Sequence, residues 1–335
     1  MLIDDVGSFP LPKYVKREDF AESYSGEQEA YAEGRKISED SLFYQSVASS
    51  LKFKIDSGID IVSYPQHYDM HRQFLEPIEK HQTEPFLIDE KYAVIPELYV
   101  IEKEAKKIYE EKGERLNLKV CITGPIELYT KTSFGYHIYD EVLLNLAKSV
   151  NTFLKNAMMD TKHIVTSVIS IDEPSMGFVD LLNVEDDTLI KALDEAVKGI
   201  DATVQVHLHT LKASKIPLLT EKISVLSGEF AASPENMRYV TRKELETHDK
   251  FLRAGITRTN IDHILAVHLD RGVSPSDDQL IDSAHVIKKT CDKAKEIFGE
   301  RIKFAGPDCG LGSWPSQRVA FELLQRTVSA IRKFQ

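Results

Sequence analysis

Four side chains in the second half of the sequence belong to the residue types that bind transition metals. His207 and His209 form the motif HLH, Glu229 ends a short apolar run, and Cys309 lies in the Gly/Pro-rich stretch FAGPDCGLGSWP. Side chains two apart on a strand point to the same face, so both imidazoles can approach one ion. Two imidazoles, a carboxylate and a thiolate form a tetrahedral donor set for zinc, and the soft sulfur disfavours magnesium and calcium. The set predicts a zinc site; iron or cobalt, or a nucleophilic role for Cys309, are the alternatives.

Further residues that could contact a ligand stand at the ends of other apolar runs. In order along the chain they are Val6, Gly7, Ser8, Gln66, Asp172, His268 and Asp270. In a barrel of parallel strands, the strand ends that lead into helices form the mouth where active sites lie. The pattern therefore predicts that these residues share one face of the fold with the four metal ligands.

The elements that must position these residues alternate along the chain. Apolar runs rich in Val and Ile are separated by longer amphipathic stretches, and near-continuous apolar runs are typical of parallel strands covered on both faces. The predicted strands are residues 1–8, 60–65, 118–125, 164–174, 203–209, 223–229, 263–270 and 302–309. The predicted helices with the clearest spacing are residues 140–160, 277–299 and 315–334.

Eight strands alternating with helices predict an α/β protein with the (β/α)8 TIM-barrel fold, and an open doubly wound sheet is the alternative. No low-complexity linker and no internal repeat divides the sequence, so residues 1–335 are predicted to form a single domain. The segment between strands one and two, residues 9–57, is predicted to be an elaborated loop and helix.

Composition excludes several classes of protein. Of the 335 residues, 42% are hydrophobic and 28% are charged, which suits a globular protein with a large core. The formal net charge of −11 argues against a nucleic-acid partner. No apolar stretch is long enough to cross a membrane, the N-terminus lacks a signal-peptide pattern, and three cysteines do not suggest a disulfide framework. We therefore expect a soluble, cytoplasmic protein without a membrane partner.

Five sequence features, in a consistent order, give the chain a resemblance to a known family. They are VGSFP at 6–10, IDEP at 171–174, HLH at 207–209, the isolated Glu229 and PDCGL at 307–311. On these features the chain resembles the C-terminal catalytic domain of the cobalamin-independent methionine synthases, in a short form without the N-terminal barrel. The resemblance implies a (β/α)8 barrel and a methyltransferase of methionine biosynthesis that uses zinc to activate homocysteine.

The resemblance also assigns metal ligands. The family's zinc set of His, Cys, Glu and Cys falls on His207, His209, Glu229 and Cys309, so His209 stands where the familiar form has cysteine. Two neutral imidazoles and two anions would leave the zinc site neutral overall before substrate binds, rather than carrying one extra negative charge.

The family's amino-acid pocket maps onto the first half of the chain. The backbone at Val6, Gly7 and Ser8 would meet the carboxylate of homocysteine, and Asp172 would pair with its ammonium group. A second acidic residue of the family falls near Gln66, and glutamine can hydrogen-bond an ammonium group but cannot neutralise it. This difference leaves another thiol, such as coenzyme M, as an alternative acceptor.

The methyl-donor side departs further from the family pattern. The family stacks a folate on a tryptophan after its third strand, but residues 124–136 contain none, and the only tryptophan is Trp314. The family's proton-donating histidine after strand seven falls at Asp270 or Arg271, with His268 slightly earlier, and we expect Asp270 and His268 to be the catalytic residues. The departures favour a methylated corrinoid protein over methyl-tetrahydrofolate as the donor.

Two rival functions remain compatible with the residues. The related uroporphyrinogen decarboxylase barrels need no metal, and some of their relatives methylate coenzyme M. A non-catalytic zinc-binding or amino-acid-binding barrel would instead have a closed metal site with four protein ligands and no room for thiol exchange.

Overall fold

The structure is a computed structural model that describes residues 1–134, 138–177 and 184–332. Its strands are β1 (Leu2–Ile3), β2 (Val62–Ser63), β3 (Gln82–Glu84), β4 (Leu87–Ile88), β5 (Leu116–Thr123), β6 (Ile164–Asp172), β7 (Thr203–Leu208), β8 (Val225–Glu229), β9 (Phe251–Thr257) and β10 (Ile302–Pro307).

The helices connect and surround these strands. The α-helices are α1 (Arg17–Ala32), α2 (Leu42–Asp56), α3 (Arg72–Lys80), α4 (Pro96–Lys112), α5 (Pro125–Thr130), α6 (Asp140–Asn156), α7 (Asp186–Ala196), α8 (Lys215–Leu219), α9 (Arg242–Thr247), α10 (Ile261–Asp270), α11 (Asp277–Leu280), α12 (Ala284–Phe298) and α13 (Gln317–Arg332). Short 3-10 helices cover Glu90–Tyr92, Leu211–Ala213, Pro234–Arg238 and Gly299–Arg301.

Eight parallel strands form one curled sheet in the order β1-β10-β9-β8-β7-β6-β5-β2. The two ends of this sheet meet through parallel bridges between Asp4 and Ile61 and between Ser8 and Gln66. The Ile61 N–H donates to the carbonyl of Ile3 at 3.1 Å, which joins β1 to the start of β2. The predicted TIM-barrel fold is confirmed, and the alternative of an open doubly wound sheet is wrong because neighbouring strands follow one another around the sheet without a reversal.

The seventh barrel strand lies where the sequence did not predict it. Residues 263–270 belong to helix α10, and the strand is β9. Ile261, Ile264 and Leu265 recur at helical spacing and pack in an apolar cluster with Trp314, which explains the helix. Strand β9 is difficult to predict because Arg253 lies in its middle, and a charged residue within an apolar run indicates a surface position rather than a buried strand. A smaller error concerns residues 277–299, which form two helices, α11 and α12, rather than one.

A buried network of charges fills the barrel interior below the mouth. Asp4 accepts from Lys119 Nζ at 2.9 Å and from Arg253 Nε at 2.6 Å, and Lys119 also donates to Gln205 Oε1 at 2.9 Å. All four residues are fully or almost fully buried. Buried charges are tolerated when they are paired and hydrogen-bonded, and this network explains how β9 can bury an arginine.

Other predictions about the chain concern single segments. The region between β1 and β2 is elaborated, as predicted, and contains helices α1 and α2. Cys121 and Cys291 are buried, and neither is in a disulfide. None of the helices within the described residues combines the length and the apolar composition that crossing a bilayer requires.

Candidate metal centre and substrate pocket

The four predicted metal ligands lie together at the carboxyl ends of β7, β8 and β10. His209 Nε2 is 3.6 Å from Cys309 Sγ and 3.7 Å from Glu229 Oε1. Each of the four residues, His207 included, offers one ligand atom, and these atoms all lie within 4.8 Å of one another. Around zinc, bonds of about 2.0–2.3 Å place tetrahedral ligand atoms about 3.3–3.8 Å apart. The cluster is therefore of the right size to close around one ion.

His207 has a ring nitrogen prepared for a ligand. Its Nε2 is buried and has no hydrogen-bond partner among the described residues. Its Nδ1 lies 3.2 Å from Ser227 Oγ, a hydroxyl that also accepts from Arg253 Nη1 at 3.3 Å. A metal-binding histidine usually hydrogen-bonds through its second nitrogen in this way, which fixes the ring orientation.

The electrostatics of the cluster favour a cation. Burial and the nearby Asp308 raise the pKa of Glu229 to about 8. Burial and Glu229 raise the pKa of the Cys309 thiol to about 12. Burial, together with His209, lowers the pKa of His207 well below its ordinary value, so this imidazole is neutral. A divalent ion would reverse the shifts of the two acids, because it stabilises a carboxylate and a thiolate.

Asp308 connects the loops that carry two of the ligands. Its carboxylate accepts from the N–H groups of Ala231 at 3.1 Å and Ala232 at 2.6 Å, just after Glu229 in the chain. The intervening strand β9 has Gly255 at this point, where any Cβ would collide with the Asp308 side chain. Since Asp308 also precedes Cys309 directly, it couples the position of the Glu229 carboxylate to that of the Cys309 sulfur.

The backbone of Cys309 is anchored to the loop after β9. The Cys309 N–H donates to Thr259 Oγ1 at 3.0 Å. The indole N–H of Trp314 donates to the carbonyl of the same threonine at 3.2 Å. Trp314 is buried, so its ring is part of the support for the cysteine turn.

Ser8 links the predicted substrate pocket to the cysteine turn. The Gly312 N–H donates to Ser8 Oγ at 3.2 Å, and a Cβ on Gly310 would collide with the same oxygen. The backbone N–H of Ser8 has no partner among the described residues, so it is free to meet a carboxylate. Gly7 adopts φ 111, a conformation that favours glycine, while the side chain of Val6 is buried in the protein.

Asp172 ends β6 beside the metal cluster. It is buried, and Ser170 Oγ donates to its Oδ1 at 2.8 Å. Burial raises the pKa of Asp172 to about 7. Its charge is close enough to contribute to the raised pKa of Cys309, so an ammonium group paired with Asp172 would lie near the sulfur.

Gln66 is buried opposite Ser8 and borders an open cavity. Its Nε2 donates to Gln73 Oε1 at 2.6 Å and, more weakly, to the hydroxyl of Tyr64 at 3.4 Å. Ser8, Gln66 and Gly312 line a cavity of about 420 Å³. This volume is in the range of small-molecule pockets.

The catalytic prediction for His268 and Asp270 depends on a strand at 263–270, and these residues form a helix instead. Both residues lie in the last turns of helix α10, where His268 is half-buried and Asp270 is exposed. Neither side chain hydrogen-bonds or pairs with the metal cluster in the part of the chain that the structure describes. The residues that follow the true seventh strand are Arg258, paired with Asp282 at 2.6 Å, and Thr259.

Sequence reasoning missed several supporting residues. Glu173 is buried and accepts from the N–H groups of Ile126 at 3.0 Å and Glu127 at 2.6 Å, which fixes the first turn of α5. Burial opposes ionisation of Glu127, but hydrogen bonds from His71 and Ser175 lower its pKa to about 2. Glu173 and Asp308 each adjoin a predicted site residue in the chain, and that adjacency is the signal that could have found them.

Comparison with known proteins gives consistent results. No protein-family model matches the chain. A curated methionine synthase from Saccharolobus islandicus is 24% identical over 349 aligned residues, covering 98% of this chain and 92% of the relative. A second methionine synthase, from Saccharolobus solfataricus, is 27% identical over 221 residues, 64% of this chain and 58% of the relative.

Solved structures share the fold. A B12-independent methionine synthase from Shewanella sp. W3-18-1, in complex with selenomethionine, superposes with a TM-score of 0.61 at 16% identity and covers 100% of this chain and 99% of that one. A methyltransferase from Methanosarcina mazei gives a TM-score of 0.53 at 15% identity, covering 99% and 95%. Similarity along almost the whole chain to a curated methionine synthase, together with the shared barrel, confirms the predicted resemblance to the cobalamin-independent methionine synthases.

Proposed function

We propose that the protein is a zinc-dependent methionine synthase that transfers a methyl group to the thiol of homocysteine. The observation that carries the proposal is the convergence of His207, His209, Glu229 and Cys309 beside the buried carboxylate of Asp172. The curated relatives named methionine synthase support the same acceptor. We also propose that residues 1–335 work as one domain in the reducing cytoplasm, where the Cys309 thiol stays available as a ligand.

The four ligand residues fit zinc better than they fit a hard cation. One sulfur and two nitrogen atoms are soft or intermediate ligands, and the unpartnered Nε2 of His207 can offer its lone pair to a metal ion. A zinc ion at this site would supply the Lewis acidity that lowers the pKa of a thiol below neutral pH. The side chain of His209 is 39% exposed, so the cluster is open to a substrate on that side.

The remaining residues bind and orient the amino-acid part of the substrate. Asp172 would pair with the ammonium group, and the free N–H of Ser8 would donate to the carboxylate. Because Ser8 also contacts the turn of Cys309, the carboxylate and the sulfur of one substrate would be held by connected parts of the protein. Fixing a reactant in this way converts binding energy into orientation, which accelerates a transfer reaction.

A methylated corrinoid protein is the methyl donor that we propose. The single tryptophan of the chain is buried and its indole donates to the carbonyl of Thr259, so it offers no face on which a folate could stack. Residues 135–137 of the segment after the third barrel strand lie outside the described residues, and the sequence of that segment contains no tryptophan.

The test is a methyl-transfer assay on the zinc-loaded protein. We expect transfer from methylcobalamin to homocysteine, with little or no transfer from methyl-tetrahydrofolate and none to coenzyme M. The variants His207→Ala and Cys309→Ala should lose stoichiometric zinc and methyl transfer, while the control Cys291→Ala, in helix α12, should keep both. Full zinc content and full activity in either ligand variant would refute the proposal, and preferential methylation of coenzyme M would change the acceptor.

A further inference from the structure

The amide group of Gln66 has both of its hydrogens engaged inside the protein. One is donated to Gln73 Oε1 at 2.6 Å and the other points to the Tyr64 hydroxyl at 3.4 Å. The carbonyl oxygen Oε1 accepts from no group in the described residues and faces Gly7, where a Cβ would lie 3.8 Å away. The atom that Gln66 presents to the substrate pocket is therefore an acceptor.

Both partners of this amide are themselves oriented by deeper groups. Tyr64 donates its only hydroxyl hydrogen to the carbonyl of Cys121 at 2.7 Å, so its oxygen can only accept from Gln66. Gln73 donates through Nε2 to Glu97 Oε1 at 3.4 Å, which leaves its own Oε1 facing Gln66. Glu97 Oε2 has no partner among the described residues, so a proton on buried Glu97 belongs there and Oε1 still accepts. All these side chains are buried, so no solvent is present to repair a wrong orientation.

A reversed Gln66 amide would be penalised at two contacts. Its oxygen would face Gln73 Oε1 and the Tyr64 oxygen, and neither would have a hydrogen to offer. Opposed acceptors in a buried site lose their hydrogen bonds and repel each other. The NH₂ group of the reversed amide would point into the pocket. There it would donate to a carboxylate or sulfonate and would repel an ammonium group.

We propose that Gln73 and Tyr64 are positioning residues that hold the Gln66 carbonyl outward, so that the pocket selects thiols with an ammonium group over thiols without one. This inference rests on the proposed function, because it concerns the same acceptor site. Gln66 is uncharged, but its neighbours determine that its carbonyl oxygen, rather than its NH₂ group, faces the substrate. That orientation would favour a thiol that carries an ammonium group. The Gln66–Gln73–Glu97 chain connects that choice to helices α3 and α4.

The experiment compares two acceptors that differ only in the amine, homocysteine and 4-mercaptobutyrate, with methylcobalamin as the donor. In Gln73→Leu and Tyr64→Phe, the KM for homocysteine should rise about tenfold with kcat changed less than twofold, since one oriented hydrogen bond to a charged group is lost. The KM for 4-mercaptobutyrate should stay the same. The matched control is Gln28→Ala, which removes hydrogen bonds to the backbone carbonyls of Gln73 and Val94 but leaves the amide chain intact.

A second variant separates orientation from packing. Gln66→Glu replaces the amide by a carboxylate whose two oxygens are equivalent, so its orientation no longer matters. In that background Gln73→Leu should change the KM for homocysteine less than twofold. An equal rise in KM for both thiols, the same effect in Gln28→Ala, or an undiminished effect in the Gln66→Glu background would overturn the inference. Absence of methyl transfer to homocysteine by the unmodified protein would instead refute the proposed function.

Discussion

Cys309 Sγ lies 3.6 Å from His209 Nε2, although the two residues are 100 positions apart in the chain. They come from β10 and from the end of β7, strands that are separated in the sheet by β8 and β9. The barrel curvature brings their ends to one point, and the loop that carries Glu229 is attached to the cysteine turn through Asp308. The candidate metal site thus depends on the closure of the barrel, and the predictions that follow concern both zinc binding and stability.

Asp308→Asn should weaken zinc binding about 10- to 100-fold, as losses of outer-shell partners do in other metal sites. The amide keeps one acceptor oxygen but turns an NH₂ group toward the N–H groups of Ala231 or Ala232, so Glu229 and Cys309 lose their common anchor. Competition with a chromogenic chelator measures the affinity. Asp262→Asn, exposed on helix α10, is the control, and wild-type affinity in Asp308→Asn would show that the anchor is dispensable.

Gly310→Ala should lower the free energy of unfolding by about 2 kcal/mol, because the added Cβ collides with Ser8 Oγ in a packed turn. Gly26→Ala, where nothing lies within 4 Å, should instead stabilise helix α1 by up to about 1 kcal/mol. Urea denaturation measures both. Adding Ser8→Gly to Gly310→Ala should recover part of the lost free energy of unfolding. If the double variant were as unstable as Gly310→Ala alone, the collision with Ser8 Oγ would not be the cause of the loss.

Arg253→Met should cost about 3 kcal/mol or more in unfolding free energy, because it leaves the buried Asp4 with one cation instead of two. The control is Arg242→Met, which breaks an exposed pair with Glu246 and should cost less than about 0.5 kcal/mol. Equal effects of the two substitutions, measured by chemical denaturation, would contradict the role of the buried network in the barrel.

Glu97 should make the protein less stable as pH rises. Burial raises the pKa of Glu97 to about 8, whereas the unfolded chain has the ordinary value near 4.5. Between these values the folded state keeps a proton that the unfolded state has lost. The free energy of unfolding therefore falls with rising pH, by up to about 1.4 kcal/mol per unit, until the folded state also ionises.

Glu97→Gln removes this contribution, so its stability relative to the wild type should increase from pH 5 to pH 8. Urea denaturation at four pH values gives the comparison. Glu111→Gln, exposed on the same helix α4, should run parallel to the wild type. A constant difference between Glu97→Gln and wild type across this range would mean that Glu97 is ionised in the folded protein throughout.

The clustering of His207, His209, Glu229 and Cys309 was predictable because strand periodicity and residue type agree at those positions. His207 and His209 alternate with buried Val206 and Leu208, and Cys309 follows an apolar strand directly. Val204 is buried as well, in line with a strand covered by helices. These patterns are local in the sequence. In a barrel of parallel strands the carboxyl ends of all strands lie on the same face, so side chains at those ends come together.

The features that escaped prediction depend on partners far away in the chain. Arg253 gives the sequence of β9 a charged residue that is not typical of a buried strand. Its charge can be buried because it pairs with Asp4, which lies 249 positions earlier in the chain. The sequence HILAVHLD of helix α10 also fits a strand because it is rich in apolar residues, and periodicity alone does not distinguish a helix from a strand in so short a run. The orientation of Gln66 depends on Gln73 and Glu97, whose proximity only the packing of helices α3 and α4 reveals.

Crystals of the zinc-loaded protein would give the position of the ion directly, by anomalous scattering at the zinc absorption edge. We expect one peak enclosed by His207 Nε2, His209 Nε2, a carboxylate oxygen of Glu229 and Cys309 Sγ. A strong zinc peak away from this cluster, or no peak in protein that retains activity, would contradict the proposed zinc site.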